Sequence, residues 1–170
     1  TSDEWIMTRT GIKERRIASK DQAASDLGVN AAKVAIEDAG LKPEDIDLII
    51  TATVTPDTLC PSTACIIQEK IGAKNAAAFD INAACTGFVF GVIIAQQFVN
   101  SGLYANVLVI GTEKLSSIVD WKDRSTCVLF GDGSGACVIG KSEERRIVST
   151  FMGADGSGAD LLHMPAGGSR

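Results

Sequence analysis

The chain has 170 residues, 45% hydrophobic and 22% charged, enough for one domain with a real core. Sixteen basic against twenty-one acidic residues leave a net charge of -5, with no basic block of the kind that binds nucleic acid. No apolar run reaches the length of a membrane span, no signal peptide is read at the start, and five cysteines with one histidine form neither a disulfide framework nor a zinc pattern, so reduced cytoplasmic thiols are expected.

Thr1 to Arg16 is dense in charge and contains Trp5. It fits a solvated surface helix and turn with one amphipathic anchor. It also fits a ligand site, with Trp5 as a flat face for adenine and Arg9 as a charge for phosphate. Ala23 to Ala39 predicts a helix whose apolar face carries Leu27, Ala31, Val34, Ala35 and Ala39. Gly28 weakens that helix and Gly40 stops it. Pro43-Glu44-Asp45 predicts one short helical turn, and Ile46 to Val54, rich in Ile, Val and Thr, predicts a strand.

Cys60-Pro61-Ser62 opens the next helix, with Ile66, Ile67 and Ile71 on its apolar side and Gly72 at its end. Cys60 and Cys65 read as packing residues. Ala76 to Ile81 predicts a short buried strand. Phe88 to Val99 predicts a helix that is apolar on nearly every face, hence buried, and that ends at Gly102.

Cys85 falls between this strand and helix, at the first turn. Unpaired backbone N–H groups and the positive end of the helix dipole there favour thiolate over thiol. Ala83, Ala84 and Gly87 leave room for a substrate carbonyl to reach the sulfur, with the Cys85 N–H as an oxyanion donor. From position alone, Cys85 is either a nucleophile or one more small buried hydrophobe.

Asn106 to Gly111 predicts a further strand, so strands and helices alternate from residue 46 onwards, the pattern of a parallel sheet covered by helices. Lys114 to Ser125 is polar, with Trp121 as an anchor under a loop. Gly131 to Gly135 is glycine-rich but lacks the Gly-Lys-Ser/Thr of a phosphate loop, and reads as a tight strand connection. Ala136–Ile139 and Ile147–Met152 predict a hairpin joined by the charged stretch Lys141–Arg146. His163, the single histidine, lies between glycine- and proline-rich stretches of surface-loop character.

Asp80-Ile81-Asn82-Ala83-Ala84-Cys85-Thr86-Gly87-Phe88 resembles the nucleophile region of the β-ketoacyl-acyl-carrier-protein synthase III family, which has the thiolase fold. Thr1–Arg16, Asp120–Thr126 and Phe130–Gly135 resemble further motifs of that family in the same order. The resemblance implies an α/β thiolase-like half: a mixed, mainly parallel sheet of five-stranded type, its first strand missing, with helices on both faces. Residues 1–170 would then be an N-terminal half-domain without the second half. The first strand is expected inside the sheet, so its loss would bare a row of backbone donors and acceptors.

The resemblance also implies roles. Cys85 is the catalytic cysteine. Trp5 stacks on the adenine of coenzyme A with Arg9 beside it, and Arg124 covers the other side of the same ring. His163 matches no functional position. The reaction is a decarboxylating Claisen condensation of an acyl-coenzyme A primer with malonyl-acyl-carrier protein. It initiates fatty acid synthesis in a cytoplasmic homodimer, without metal, nucleic acid or membrane, and with coenzyme A as part of a substrate and not as a cofactor. The family's decarboxylating histidine and asparagine belong to the second half, so the isolated chain is expected not to condense. One departure stands out: where the family commonly has an aromatic residue before the proline that opens the third helix, this sequence has Cys60, which predicts a roomier primer pocket. Two other readings remain: a relative on the same fold, such as a type III polyketide synthase or hydroxymethylglutaryl-coenzyme A synthase, and a non-catalytic coenzyme A-binding or dimerisation module.

Overall fold

Leu48–Ala52 forms strand β1, buried at all five positions. A strand of Leu, Ile and Thr hidden on both faces belongs at the centre of a sheet. A computed structural model describes residues 1–144 and 146–169, so Arg145 of the charged connection and the terminal Arg170 lie outside the described residues. In it, β1 pairs in parallel with β2 (Ala77–Ile81) on one side and with β3 (Asn106–Lys114) on the other. Strand β4 (Asp132–Gly140) runs antiparallel to β3. The sheet therefore has four strands in the order β2-β1-β3-β4.

Helices cover both faces, as expected. Side chains alternate along a strand, so Ile49, Leu108 and Ile110 face one way and Leu48, Ile50, Val107 and Val109 the other. The first set packs under helices α2 (Ala24–Asp38) and α3 (Thr63–Ile71). The second set packs under helix α4 (Gly87–Ser101). Gly87, Gly91 and Ala95 are spaced by four and share one face of α4. A Cβ on Gly87 would lie 3.1 Å from Ala52 Cβ, and one on Gly91 would lie 2.9 Å from Val109 Cγ1. These small residues let the helix backbone press onto β1 and β3.

Several expectations need correction. The four strands are hydrogen-bonded in unbroken order, so the sheet has no internal gap; its unpaired backbone lies along the outer sides of β2 and β4. For the same reason β2 is an edge strand and only partly buried. The stretch Gly131–Gly135 is not a connection: from Asp132 onwards it is the first half of β4, with Gly133 opposite Glu113 and Gly135 opposite Gly111. Pairing with β3 overrides the turn character of its glycines. Ile147–Met152 forms no strand; Phe151 is 86% exposed, and β4 takes β3 as its hairpin partner instead.

The buried stripe of α2 is Ser25, Gly28, Val29, Ala32 and Ile36, whereas the predicted face carries Val34 at 66% exposure. Gly28 explains the rotation. A Cβ there would lie 2.6 Å from Ile67 Cδ1, so the position that looked like a weakness is where α2 packs tightly on α3. Helix α4 is likewise buried on one side only, with Val89 54% exposed. By length and composition Ala84–Ser101 could cross a membrane. Its packing against Leu48, Ile50, Val107 and Val109 accounts for much of that apolar character.

Candidate active site

Cys85 lies in a single 3-10 turn, Ala84–Thr86, immediately before α4. The predicted position in the first helical turn is thus displaced to the turn that leads into it. The side chain is exposed, not packed as a small hydrophobe. Ala84 has φ 45°, in the left-handed region that residues with a Cβ seldom occupy. The turn is closed by Thr86, whose backbone N–H and Oγ1 donate to the Ala83 carbonyl at 3.1 and 2.8 Å. β2 delivers this turn to the carboxyl end of the parallel strands, where ligand sites of α/β sheets gather.

Two carboxylates that sequence reasoning missed hold the surrounding loops. Asp80, at the end of β2, accepts from the Thr63 and Ala64 N–H groups at 2.7 Å each, and so fastens the start of α3 to the strand that leads to the Cys85 turn. Glu113, near the end of β3, accepts from Val54 N–H at 2.8 Å and Thr55 Oγ1 at 2.6 Å. Their signal was faint: an acidic residue at the end of an apolar strand. Between these anchors runs the loop with Cys60, which is exposed and borders a cavity of about 320 Å³ together with Thr53, Leu59, Ile81 and Asn82.

The other predicted residues gather in a second cluster. Helix α1 (Asp3–Thr10) starts at Ser2, whose Oγ accepts from Trp5 N–H at 3.1 Å, and stops at Gly11 with φ 71°. Trp5 and Arg9 sit one turn apart, with the Arg9 guanidinium carbon 5.5 Å from the centre of the indole ring. Arg124 arrives from the far part of the chain and donates to the Thr1 carbonyl at 3.3 Å. Beneath them Ile6 packs with Cys127, Val128 and Val119. The structure therefore brings Arg124 to the foot of the helix that carries Trp5 and Arg9, while Cys85 stands on a separate element.

Local chemistry fixes Arg124. Hydrogen bonds from the Ser125 and Thr126 hydroxyls and the Ser125 N–H hold the Asp123 carboxyl below the usual carboxylate range. They also close the turn around Arg124, with Thr126 Oγ1 2.6 Å from Asp123 Oδ2. Asp132 ties this region to the sheet. Burial pushes its carboxyl up, but hydrogen bonds from Ser116 Oγ, Ser116 N–H and Ala18 N–H, helped by Lys114, outweigh burial and hold it below the ordinary value. Burial alone pushes the Cys137 thiol of β4 up. His163 is exposed and its Nδ1 lies 3.2 Å from the Asp160 carbonyl, within its own loop. Among the described residues no three His, Cys, Asp or Glu side chains converge as a metal site.

A family model described as 3-oxoacyl-[acyl-carrier-protein] synthase III matches residues 79–156. Across its whole length the chain is 65% identical to a β-ketoacyl-[acyl-carrier-protein] synthase III of Caldanaerobacter subterraneus, covering 52% of that protein. It is 64% identical to one of Clostridioides difficile, again over 100% of the chain and 52% of the relative. The chain thus spans about half the length of the curated relatives it matches. Among solved structures, the β-ketoacyl synthase III of Thermus thermophilus matches 98% of the chain and 52% of its own with a TM-score of 0.91 at 46% identity. The priming β-ketosynthase of the R1128 polyketide pathway matches 98% of the chain and 50% of its own with a TM-score of 0.93 at 42% identity.

Proposed function

Because this chain belongs to the β-ketoacyl-acyl-carrier-protein synthase III family, we propose that it is the half-domain that takes the acyl primer, residues 1–170 supplying the nucleophile and the nucleotide clamp of a condensing enzyme that initiates fatty acid synthesis. The observation that carries this reading is the exposed Cys85 in its strained turn at the carboxyl end of the sheet. The two residues before it, Ala83 and Ala84, carry nothing larger than a methyl group.

The Cys85 thiolate attacks the carbonyl carbon of an acyl-coenzyme A. A carbon–sulfur bond forms, the oxyanion is held by the Cys85 N–H, and the bond to the coenzyme A sulfur breaks as that thiol leaves with a proton. Trp5 and Arg124 flank the adenine, and Arg9, stacked against Trp5, keeps the indole in place and adds positive charge beside the phosphates. Coenzyme A enters and leaves as part of a substrate. In the second half-reaction malonyl-acyl-carrier protein loses carbon dioxide, its carbanion attacks the acyl carbon, and the Cys85 thiolate departs. Groups outside these 170 residues stabilise the enolate, so the chain alone does not condense. The working enzyme is a homodimer in the cytoplasm, a compartment that suits its five unpaired thiols.

The test is ketoacyl product formation from acetyl-coenzyme A and malonyl-acyl-carrier protein by the full polypeptide. Cys85→Ser is expected to lose at least about a thousandfold, since oxygen is the poorer nucleophile and leaving group here. Undiminished turnover by Cys85→Ser would remove the basis of the proposal.

A further inference from the structure

We propose that Arg15 is a positioning residue for the coenzyme A nucleotide: it fixes helix α1, and with it Trp5, against the segment that carries Arg124. This inference rests on the clamp reading above. α1 is a short helix, and among its residues only Ile6 is buried. Ile6 seats on Val119, Cys127 and Val128, on the surface segment after β3 and away from the sheet core.

What holds the segment after α1 in register is a fork. Arg15 Nε and Nη2 both donate to the Val128 carbonyl, at 2.9 and 2.5 Å, across 113 positions of sequence. A planar guanidinium can place two donors on one oxygen, and an ammonium cannot. The third nitrogen, Nη1, lies 3.4 Å from the Ile12 carbonyl, so the same side chain closes its own loop. Next to the fork the Asp132 N–H donates to the Arg16 carbonyl at 2.7 Å. Gly131 permits this approach, because a Cβ there would meet the Arg16 oxygen at 3.2 Å and Arg15 Cβ at 3.3 Å.

Arg15 itself is half-buried and its three nitrogens are engaged with backbone carbonyls, which assigns it to the frame and not to the ligand. Its neighbour Arg16 is exposed and pairs with Glu14 at 2.7 Å. The two flat faces of the clamp, Trp5 and Arg124, stand on opposite sides of the joint that Arg15 closes. Loosening the joint widens the gap between them while leaving Cys85 untouched.

The experiment uses the full-length polypeptide and two acyl donors: acetyl-coenzyme A, and acetyl-N-acetylcysteamine, which has the thioester but no nucleotide. Arg15→Met is expected to raise KM for acetyl-coenzyme A about tenfold, the scale of losing charge-assisted hydrogen bonds, with kcat preserved. Use of acetyl-N-acetylcysteamine stays as in the parent. Arg15→Lys, which keeps the charge but not the fork, is expected to fall between. Trp5→Ala is run alongside. If Trp5→Ala raises KM for acetyl-coenzyme A and Arg15→Met does not, the positioning role is overturned and the clamp stands. An equal loss on both donors also overturns it, because that is the mark of general destabilisation. If Trp5→Ala leaves KM unchanged, the clamp reading fails and this inference fails with it.

Discussion

Gly87 rests on Ala52: a Cβ added to the first residue of α4 would stand 3.1 Å from the Ala52 methyl carbon at the end of β1. This contact sets how close the helix start, and the Cys85 turn joined to it, come to the sheet. Gly87→Ala forces either the helix or the strand end to shift. The expected cost is about 1–3 kcal/mol, read as a lower urea midpoint with an unchanged slope. Cys85 acylation should slow along with it. Full stability in Gly87→Ala would mean that the helix start has slack.

Acid should loosen the region around Asp132. Burial raises its carboxyl, yet the hydrogen bonds from Ser116 and Ala18 win and its folded value is depressed. A depressed carboxyl contributes stability that is fully present above its unfolded value, near pH 4, and is lost as pH falls through the folded value. Unfolding monitored between about pH 5 and pH 2 should therefore show a stability loss that is smaller in Asp132→Asn. Identical slopes in the two proteins would contradict this.

Cys60 borders the cavity beside Ile81 and Asn82, which lead to the Cys85 turn. Cys60→Phe adds a ring to that space. Primer preference, measured with acyl-coenzyme A donors of increasing length, should move towards shorter chains. An unchanged preference would show that this cavity does not meet the primer.

The legible parts of this fold were those in which apolar sequence and pairing agree. β1, β3 and α4 are long apolar runs whose only sensible place is against one another, and glycines at 72 and 102 mark helix ends with left-handed backbone. Legibility failed where a partner element decides the outcome. Asp132–Gly135 looks like a turn until β3 lies beside it, and Ile147–Met152 looks like a strand but pairs with no strand among the described residues. On α2, Gly28 signals weakness in one dimension and contact in three. At the site, the setting of Cys85 between strand and helix was readable, but position alone left a nucleophile and a small buried hydrophobe both open, and the structure exposes the side chain. The nearness of Arg124 to α1 was not, because no local pattern links residues so far apart; only family resemblance suggested it. Arg15 and Asp80 went unseen because their partners are backbone groups, which leave no mark in side-chain sequence, and Glu113 because its partners, the Val54 N–H and the Thr55 hydroxyl, lie far away along the chain.

The most direct test is peptide mass analysis after the full polypeptide meets acetyl-coenzyme A alone. An acetyl group on the peptide containing Cys85, absent from Cys85→Ala and discharged on adding malonyl-acyl-carrier protein, is the predicted result. Coenzyme A that binds and leaves that cysteine unmodified, or an acetyl group carried by another residue, would contradict the account.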